Sequence, residues 1–416
     1  MSGAWLQALT GRKRLDDIAP GAMKGRTIVY FANTDWYLYN FRHALIGMAR
    51  DEGMHVVCAA PPGEYLERLQ GLGIECVPIP LVRMKSGLLS LIPAIWTLRG
   101  LFRRVDPHIC HSFTLTSILM TWVASLGYRS MVRINAVTGM GYAFIGQRLS
   151  TRVIRMLLEP IVSLALNAKR AWTVVQNAAD GAFLQEQLGV NPNRIACIAG
   201  SGVDITRFRP LEKSRDGGNL TVAFVGRLLV DKGIREFIDA ARQLKRAYPE
   251  VKFVAAGTAD KGNPATISMR ELESLQRERI VTFLGDVTDM PGFYRNTDIL
   301  VLPSYREGLS RSLIEAAACG IPAVTTDVPG CRDVVTDEKS GLLVPPRDAG
   351  GLSHAIERLI DDPGLRLCMG RTAREYALRY FTDRLVNEQT FDFYRTATGT
   401  EFTCDSSTTR IRRHYG

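Results

Sequence analysis

The sequence predicts an α/β protein with two doubly wound, parallel-sheet domains that face each other across a cleft. From about residue 24 onward, short apolar runs alternate with segments of helical periodicity, which is typical of parallel strands covered by helices on both faces. The alternation stops in the turn-rich stretch 200–210 and resumes at Thr221. A chain of 416 residues fits this division.

Each half contains its own series of predicted strands. In the first half the predicted strands are 26–32, 54–60, 75–79, 107–112 and 131–135. In the second half they are 221–225, 251–256, 280–284, 298–302, 323–326 and 341–344. The clearest helix is 233–248, where Ile234, Phe237, Ile238, Ala241 and Leu244 recur at helical spacing.

These patterns divide the chain into five parts. They are an N-terminal extension (1–23), a first domain (24–205), a second domain (206–380), a C-terminal helix (381–396) and a tail (397–416). The tail is basic and rich in Thr and Ser, so we expect it to be disordered. In open parallel sheets, ligands bind at the carboxyl ends of the strands, here at the predicted cleft.

Composition excludes several classes of protein. The chain is 46% hydrophobic and 23% charged, which excludes a disordered, collagen-like or disulfide-scaffold protein. The net charge is +10, of which +8 falls in residues 1–205. Between Cys76 and Leu158 ten bases accompany one acid, Asp106. This balance indicates anionic partners, with nucleic acid, a membrane surface and phosphorylated ligands all open.

The cysteines and apolar segments favour a cytoplasmic protein. The eight cysteines form no Cys-x-x-Cys pair, so buried thiols in a reducing compartment are expected. Residues 1–20 lack the apolar core of a signal peptide, and no apolar run reaches membrane-spanning length. Residues 88–104 and 153–170 mix apolar and basic residues, and each fits either a packed helix or a membrane-surface helix.

A first candidate binding motif lies at 225–233 (VGRLLVDKG). A predicted strand ends at Val225, Gly226 permits a tight turn, and Arg227 and Lys232 precede a helix. A guanidinium fork and an ammonium point charge beside a helix N-terminus suit a diphosphate. The same residues also fit two solvated surface bases.

A second candidate motif lies at 304–320, where Glu307 and Gly308 occupy a loop and Ser310 is a candidate N-cap. Glu315 follows within the predicted helix. Two carboxylates can accept hydrogen bonds from a ribose and a hexose, and the amides of Gly308–Ser310 can meet a phosphate. Alternatively, Glu307 complements the helix dipole and Glu315 is solvated.

Metal binding is not expected. The chain contains no Asp-x-Asp and no His/Cys/Asp/Glu cluster of convincing ligand spacing. His108 and His111 fit a strand end with one histidine facing the cleft better than a metal site. Arg227 and Lys232 would neutralise a diphosphate instead.

Together these motifs resemble the catalytic domain of family 4 glycosyltransferases, which are retaining enzymes of the GT-B fold with two Rossmann-like domains. The resemblance runs from about Thr221 to Phe381, and its string at 329–333 is similar to members that build bacterial surface polysaccharides. Besides the two motifs above, it includes Phe-Leu-Gly at 283–285, Gly-Ile-Pro at 320–322, Pro-Gly-Cys-Arg-Asp at 329–333 and Gly-Leu-Leu-Val-Pro at 341–345.

The resemblance implies roles for these residues. Arg227 and Lys232 would hold the pyrophosphate of a UDP- or GDP-type sugar, Glu315 the ribose and Glu307 the transferred sugar. The backbone near Val287 would meet the nucleobase. The implied catalytic residues are Glu307, Arg227 and Lys232, and the implied donor-binding set is completed by Gly226, Val287, Gly308, Leu309, Ser310 and Glu315.

The first half resembles the acceptor-side domain of the same family, less tightly. The matching segments are 33–42 (NTDWYLYNFR) and 138–144 (TGMGYAF). Many relatives carry a histidine near Asn135, and this chain does not. The implied acceptor or cleft residues are Asn33, Asp35, Tyr39, Arg42, His111, Gly139 and Gly141.

The resemblance and the basic first half together imply a glycan or polyprenyl-diphosphate-linked acceptor. They also imply peripheral attachment to the inner face of the cytoplasmic membrane. Two other functions stay open. A basic nucleic-acid-binding protein would explain the charge, although no recognised module is present. A two-Rossmann epimerase or phosphorylase would use a similar sugar site.

Overall fold

The computed structural model describes residues 23–81, 88–139, 149–210, 219–260, 263 and 265–399. Within them the chain folds into two α/β domains, each built on one parallel sheet, which confirms the predicted fold class. Residues 1–22 of the expected extension and 400–416 of the expected tail lie outside the described residues.

The first domain contains a seven-stranded sheet in the order β3-β2-β1-β4-β5-β6-β7. Its strands are β1 (Thr27–Ala32), β2 (His55–Ala60), β3 (Glu75–Pro78), β4 (Ile109–Phe113), β5 (Val132–Val137), β6 (Ala171–Val175) and β7 (Ile195–Cys197). All pairs are parallel. The sequence analysis identified β1–β5 and missed β6 and β7.

Two layers of helices cover this sheet. They are α1 (Asp35–Asp51), α2 (Glu64–Gly71), α3 (Ile92–Val105), α4 (Leu115–Ala124), α5 (Leu149–Asn167) and α6 (Ala178–Leu188). The sheet order reverses between β3 and β4, so right-handed crossovers place α1 and α2 on one face and α3–α6 on the other.

The second domain contains a six-stranded parallel sheet in the order β10-β9-β8-β11-β12-β13. The strands are β8 (Thr221–Val225), β9 (Lys252–Ala256), β10 (Thr282–Gly285), β11 (Ile299–Leu302), β12 (Ala323–Thr326) and β13 (Gly341–Val344). The helices are α7 (Ile234–Ala247), α8 (Met269–Glu278), α9 (Met290–Arg295), α10 (Arg311–Ala318), α11 (Ala349–Asp361) and α12 (Pro363–Tyr380).

The last helix, α13 (Asp383–Thr398), returns to the first domain. It runs two residues into the segment expected to be a tail. Its Phe393 ring packs on Trp172 of β6 with centroids 5.6 Å apart. The chain crosses between domains at two adjacent points, since the Asp383 amide donates to the Val203 carbonyl over 3.0 Å.

No helix among the described residues combines the length and apolar character that a bilayer-spanning segment requires.

Candidate active site

A cleft of about 590 Å³ lies between the two domains. Residues directly after strands of both sheets line it, including Thr138 after β5, Gln176 after β6 and Gly226 after β8. The carboxyl ends of the two sheets therefore face one another, as the doubly wound pattern predicts.

Lys232 reaches this cleft from a short helical turn, Val230–Lys232, between β8 and α7. The next residue, Gly233, has a φ of +74°, and a Cβ there would collide with the Pro303 carbonyl. Glycine is required here because the turn is left-handed and touches the loop after β11. This close approach brings Lys232 beside the loop that carries Glu307.

Glu307 and Lys232 form an ion pair in the cleft, through Glu307 Oε1 and Lys232 Nζ. The Ser304 hydroxyl donates to the same carboxylate oxygen over 2.7 Å. Both charged side chains are mostly buried. Burial and the charge of Glu307 raise the pKa of the neighbouring Cys331 thiol to about 12. That thiol is therefore neutral and adds no charge to the Lys232–Glu307 ion pair.

Arg227 lies at the mouth of the cleft. Its guanidinium donates to Asp260 Oδ2 over 2.8 Å. The Arg227 side chain is exposed while that of Asp260 is mostly buried. The carboxylate therefore anchors the arginine, whose remaining donors stay available to a bound anion.

Glu315 lies on the first turns of α10 and lines the same cleft. It is only 8% exposed, so the alternative of a solvated carboxylate is wrong. Tyr294 donates to Oε2 over 3.1 Å and Arg311 donates to Oε1 over 2.8 Å. Burial, and next the charge of Glu315, raise the pKa of Tyr294 well above its usual value. The tyrosine is thus a neutral donor that orients the carboxylate.

The N-terminus of α10 offers part of the expected phosphate-binding loop. Ser310 is the N-cap, and its hydroxyl accepts from the Leu313 amide over 3.4 Å. The Ser310 amide donates to the Gly330 carbonyl over 3.1 Å, so it is not available as the sequence predicted. The amides of Gly308 and Leu309 have no acceptor among the described residues.

The loop after β11 also contacts the first domain. The Asn177 side chain donates to the Gly308 carbonyl over 2.6 Å. A Cβ on Gly308 would overlap the Thr138 carbonyl oxygen. Arg306 forms an ion pair with Asp180, whose side chain is fully buried. The loop that carries Glu307 is thus held against β5, β6 and α6.

Arg311 makes a further link across the domains. Besides its bond to Glu315, it donates to the Ser201 hydroxyl over 2.8 Å. Its guanidinium lies 4.3 Å above the centre of the Phe41 ring on α1. Arg311 therefore connects a candidate ribose ligand to the interdomain segment and to the first domain.

Arg42 and aromatic residues form the first-domain side of the cleft. Arg42 is 4% exposed and donates to the Gly200 carbonyl over 3.0 Å and to the Tyr37 hydroxyl over 2.8 Å. No carboxylate among the described residues pairs with it. Trp36 and Phe41 line the cleft beside it. The arrangement places a buried cation behind an aromatic wall.

Five predicted acceptor residues do not line the cleft: Asn33, Asp35, Tyr39, His111 and Gly139. Asp35 instead accepts from the amides of Tyr65 and Leu66 at the start of α2, over 3.0 and 3.3 Å. The Tyr39 ring packs on Tyr65 with centroids 5.6 Å apart. Asp35 and Tyr39 face α2 because the first turns of α1 present them on the side away from the second domain.

His111 also lies away from the cleft. It is buried beneath α13, where its Nδ1 lies 2.6 Å from the Tyr394 hydroxyl. The prediction that a histidine at this strand end faces the cleft is wrong, because β4 directs His111 toward the face that α13 covers. Burial, and secondly the charge of Arg42, hold its pKa well below its usual value.

The predicted donor-binding residues meet at one place. Those lining the cleft are Gly226, Arg227, Lys232, Val287, Glu307, Leu309, Ser310 and Glu315. Gly308 lies at the domain contact opposite Gly139, and Gly141 lies outside the described residues. Sequence reasoning missed Trp36, Phe41, Gln176 and Arg311. Among the described residues no His, Cys, Asp and Glu side chains form a group that could hold a metal ion.

Models of two glycosyltransferase families match this chain, one in each half. The family described as Glycosyl transferases group 1 matches residues 206–376, and the family described as Glycosyl transferase 4-like matches residues 27–177. A relative from Campylobacter jejuni is 27% identical over 82% of this chain and 92% of its own length. It is named N,N'-diacetylbacillosaminyl-diphospho-undecaprenol alpha-1,3-N-acetylgalactosaminyltransferase. The capsular polysaccharide biosynthesis glycosyltransferase CapM of Staphylococcus aureus is 24% identical over 84% of this chain and 92% of its own.

Solved structures share the fold. Sucrose-phosphate synthase from Thermosynechococcus elongatus superposes with a TM-score of 0.76 at 18% identity, over 90% of this chain and 100% of its own. Anabaena HepE in complex with UDP and glucose superposes with a TM-score of 0.72 at 19% identity, over 88% of this chain and 99% of its own.

Proposed function

This chain belongs to the group 1 glycosyltransferases and has the GT-B fold, and from that premise we propose a donor, a stereochemical course and an acceptor. The donor is a UDP- or GDP-type sugar, the anomeric configuration is retained, and the acceptor is a hydroxyl of a glycan or polyprenyl-diphosphate-linked glycan. The observation that carries the proposal is the convergence of Arg227, Lys232, Glu307 and Glu315 in one interdomain cleft.

The donor diphosphate would lie between Lys232, Arg227 and the amides of Gly308 and Leu309. Two cations and two backbone donors match the charge and the acceptor number of a diphosphate. Glu315, fixed by Tyr294 and Arg311, would accept from the ribose hydroxyls. Val287 lies at the edge of the cleft where the nucleobase would sit.

Transfer would proceed on one face of the sugar. The bond between the anomeric carbon and the phosphate oxygen breaks, and an oxocarbenium-like state develops. The acceptor hydroxyl then forms the new bond, and its proton passes to the leaving phosphate. Lys232 and Arg227 would stabilise the charge on that phosphate, and Glu307 would hold the sugar hydroxyls. We propose that these groups suffice without a metal ion.

The relatives and the charge of the first domain support the proposed acceptor and pathway. The Campylobacter relative is named for a diphospho-undecaprenol substrate and CapM for capsular polysaccharide biosynthesis. The basic first domain suits a diphosphate-bearing acceptor at an anionic membrane. We therefore place the enzyme in surface polysaccharide biosynthesis, peripheral to the inner face of the cytoplasmic membrane.

The test is a panel of radiolabelled UDP- and GDP-sugars, each incubated with wild-type protein and a membrane extract as acceptor. We expect one donor to label the lipid fraction, and Lys232→Ala protein to leave it unlabelled. Release of a free epimerised sugar without acceptor would instead identify an epimerase. No labelling with any donor would contradict the proposal.

A further inference from the structure

The outer surface of the layer formed by α3, α4 and α5 is unusually apolar. Fifteen large hydrophobic residues are exposed among those that the structure describes. Nine of them lie on this layer or at the ends of its helices: Leu89, Ile92, Trp96, Val123, Leu126, Met156, Leu157, Ile161 and Leu164. Because the three helices cover one face of one sheet, their solvent-facing sides lie on one side of the domain. We call this surface the apolar face.

Helix α5 contributes the densest part of the apolar face. Leu157 is 64% exposed and Leu164 is 62% exposed, and Ile161 lies between them at helical spacing. The charged residues nearby, Arg155 and Glu159, pair with each other over 2.6 Å. Among the described side chains of α5, this stripe therefore presents hydrocarbon beside a charged pair, which a water-facing helix of a soluble domain rarely does.

Basic residues border the apolar face. Arg103 and Arg104 end α3, Arg129 follows α4, and Lys169 and Arg170 follow α5. All five are exposed. Acids are scarce along these helices: in the described parts of residues 88–170 only Asp106 and Glu159 occur. The surface is thus hydrocarbon over its helices and cationic along one edge, the rim, where the helices end; on that edge Arg104 pairs with Glu75 over 2.9 Å.

We propose that the apolar face docks on an anionic lipid bilayer, with Leu157, Ile161, Leu164 and Trp96 in the acyl region and the rim cations against lipid phosphates. An interfacial protein needs apolar side chains toward the acyl chains and Lys or Arg at headgroup level. A symmetric pairing of two copies through the same face would oppose like charges. The charge pattern therefore favours lipid over a second copy.

Docking in this way would bring the cleft close to the membrane. Thr138, which lines the cleft, directly follows β5, and α5 is the next described helix along the chain. A lipid-linked acceptor held in the bilayer would then reach the cleft along the same edge of the first domain. This use of the surface rests on the proposed function, while the docking itself depends only on the surface.

Co-sedimentation with liposomes tests the docking. Full-length wild type, Leu157→Asp and Leu164→Asp are mixed with vesicles of phosphatidylcholine alone or with phosphatidylglycerol. The matched control is Leu367→Asp, because Leu367 is 61% exposed on α12 of the second domain. We expect wild type and L367D to bind the anionic vesicles, and both α5 variants to bind about tenfold more weakly.

The charge requirement has its own matched pair. Arg103 lies in the last turn of α3 and Arg246 in the last turn of α7. Arg103→Glu and Arg246→Glu therefore each place a negative charge at the negative end of a helix dipole. We expect R103E to weaken binding to anionic vesicles several-fold and R246E to leave it unchanged. Equal binding of wild type to neutral and anionic vesicles would overturn the charged rim.

Two further results separate this proposal from its rivals. Sedimentation of L157D and L164D like wild type would overturn the docking. A wild-type dimer that L157D converts to monomers, with vesicle binding unchanged, would assign the face to self-association instead. Failure of every protein to transfer sugar, with the expected sedimentation pattern, would leave the docking intact and contradict only the proposed function. If L157D and L164D lose transfer to an acceptor in vesicles but retain transfer to a water-soluble acceptor, the result supports both the docking and the proposed function.

Discussion

Lys232 and Glu307 form an ion pair in the cleft, although 75 positions separate them and each lies in a different strand-to-helix connection. Neither charge is left without a partner in a mostly buried site. Under the proposed function, the donor diphosphate takes Glu307's place beside Lys232 and the carboxylate turns to the sugar hydroxyls. The pair thus holds both groups in position before the substrate binds.

Replacement of Lys232 tests the role of this ion pair. We expect Lys232→Ala to lower kcat/KM by roughly 30- to 1,000-fold, corresponding to about 2–4 kcal/mol of lost stabilisation of the leaving phosphate. Steady-state kinetics with the identified donor measures it. The control is Lys252→Ala on the exposed start of β9, which should behave as wild type. Wild-type turnover in K232A would exclude Lys232 from the reaction.

Variants of Glu315 and of its partner Tyr294 distinguish binding of the ribose from orientation of the carboxylate. We expect Glu315→Ala to raise the donor KM about tenfold to a hundredfold, since two hydrogen bonds that the ribose hydroxyls would donate to the carboxylate are lost. Tyr294→Phe removes one donor to the carboxylate and should cost only a few-fold. Isothermal titration with the nucleoside diphosphate checks both. Similar affinities for E315A and wild type would place the ribose elsewhere.

The contact between Gly308 and Thr138 predicts a requirement for glycine. We expect Gly308→Ala to reduce activity at least about tenfold, because its methyl group would push the Glu307 loop from the first domain. The control is Gly350→Ala at the start of α11, where the nearest atom would be 3.6 Å away. That variant should keep its activity and gain slightly in stability. Full activity of G308A would show that the loop tolerates separation.

The Arg306–Asp180 pair joins the two domains and should be strongly coupled. A double-mutant cycle with Arg306→Ala and Asp180→Asn, measured by urea unfolding, should give an interaction free energy of about 1–3 kcal/mol. The fully buried Asp180 carboxylate is costly to leave unpaired. The exposed pair Arg358–Glu338 should give less than about 1 kcal/mol. Equal values for the two pairs would contradict a stabilising role at the interface.

His111 predicts a pH dependence of stability. Its pKa is lowered in the folded state by burial, so below its ordinary value of 6.5 the unfolded chain takes up a proton that the folded chain does not. Stability is therefore present above pH 6.5 and falls as the pH drops, by up to about 1.4 kcal/mol per pH unit. We expect His111→Gln to show a shallower fall below pH 6.5. Parallel curves for the two proteins would contradict this.

Much of the fold could be predicted from local sequence. Buried parallel strands such as β8 (TVAFV) and β12 (AVTT) are short apolar runs bounded by turn formers, and their predicted limits match the structure. Strands β6 and β7 were not predicted. Strand β7 has only three residues, all of them half-buried, so it carries little local signal. The docking of α13 on the first domain depends on contacts between distant residues, such as Phe393 with Trp172, which no local pattern encodes.

The second-domain side of the cleft was more predictable than the first. Its residues follow strands directly, as Gly226 follows β8, so the sheet brings them together. On α1, residues only a few positions apart face different neighbours: Phe41 lines the cleft while Tyr39 packs on α2. The rotation of α1 about its axis relative to the second domain decides which of its residues face the cleft. The sequence alone does not give that rotation. Arg311 was missed because its contacts are to Ser201 and Phe41, distant in sequence.

Retention of configuration in the transferred sugar tests the central claim most directly. The wild-type protein would be incubated with the donor found in the panel, and the product examined by NMR at the anomeric position. The account predicts that the new linkage has the same anomeric configuration as the sugar in the donor. An inverted linkage, or no transfer from any nucleotide-diphosphate sugar, would contradict it.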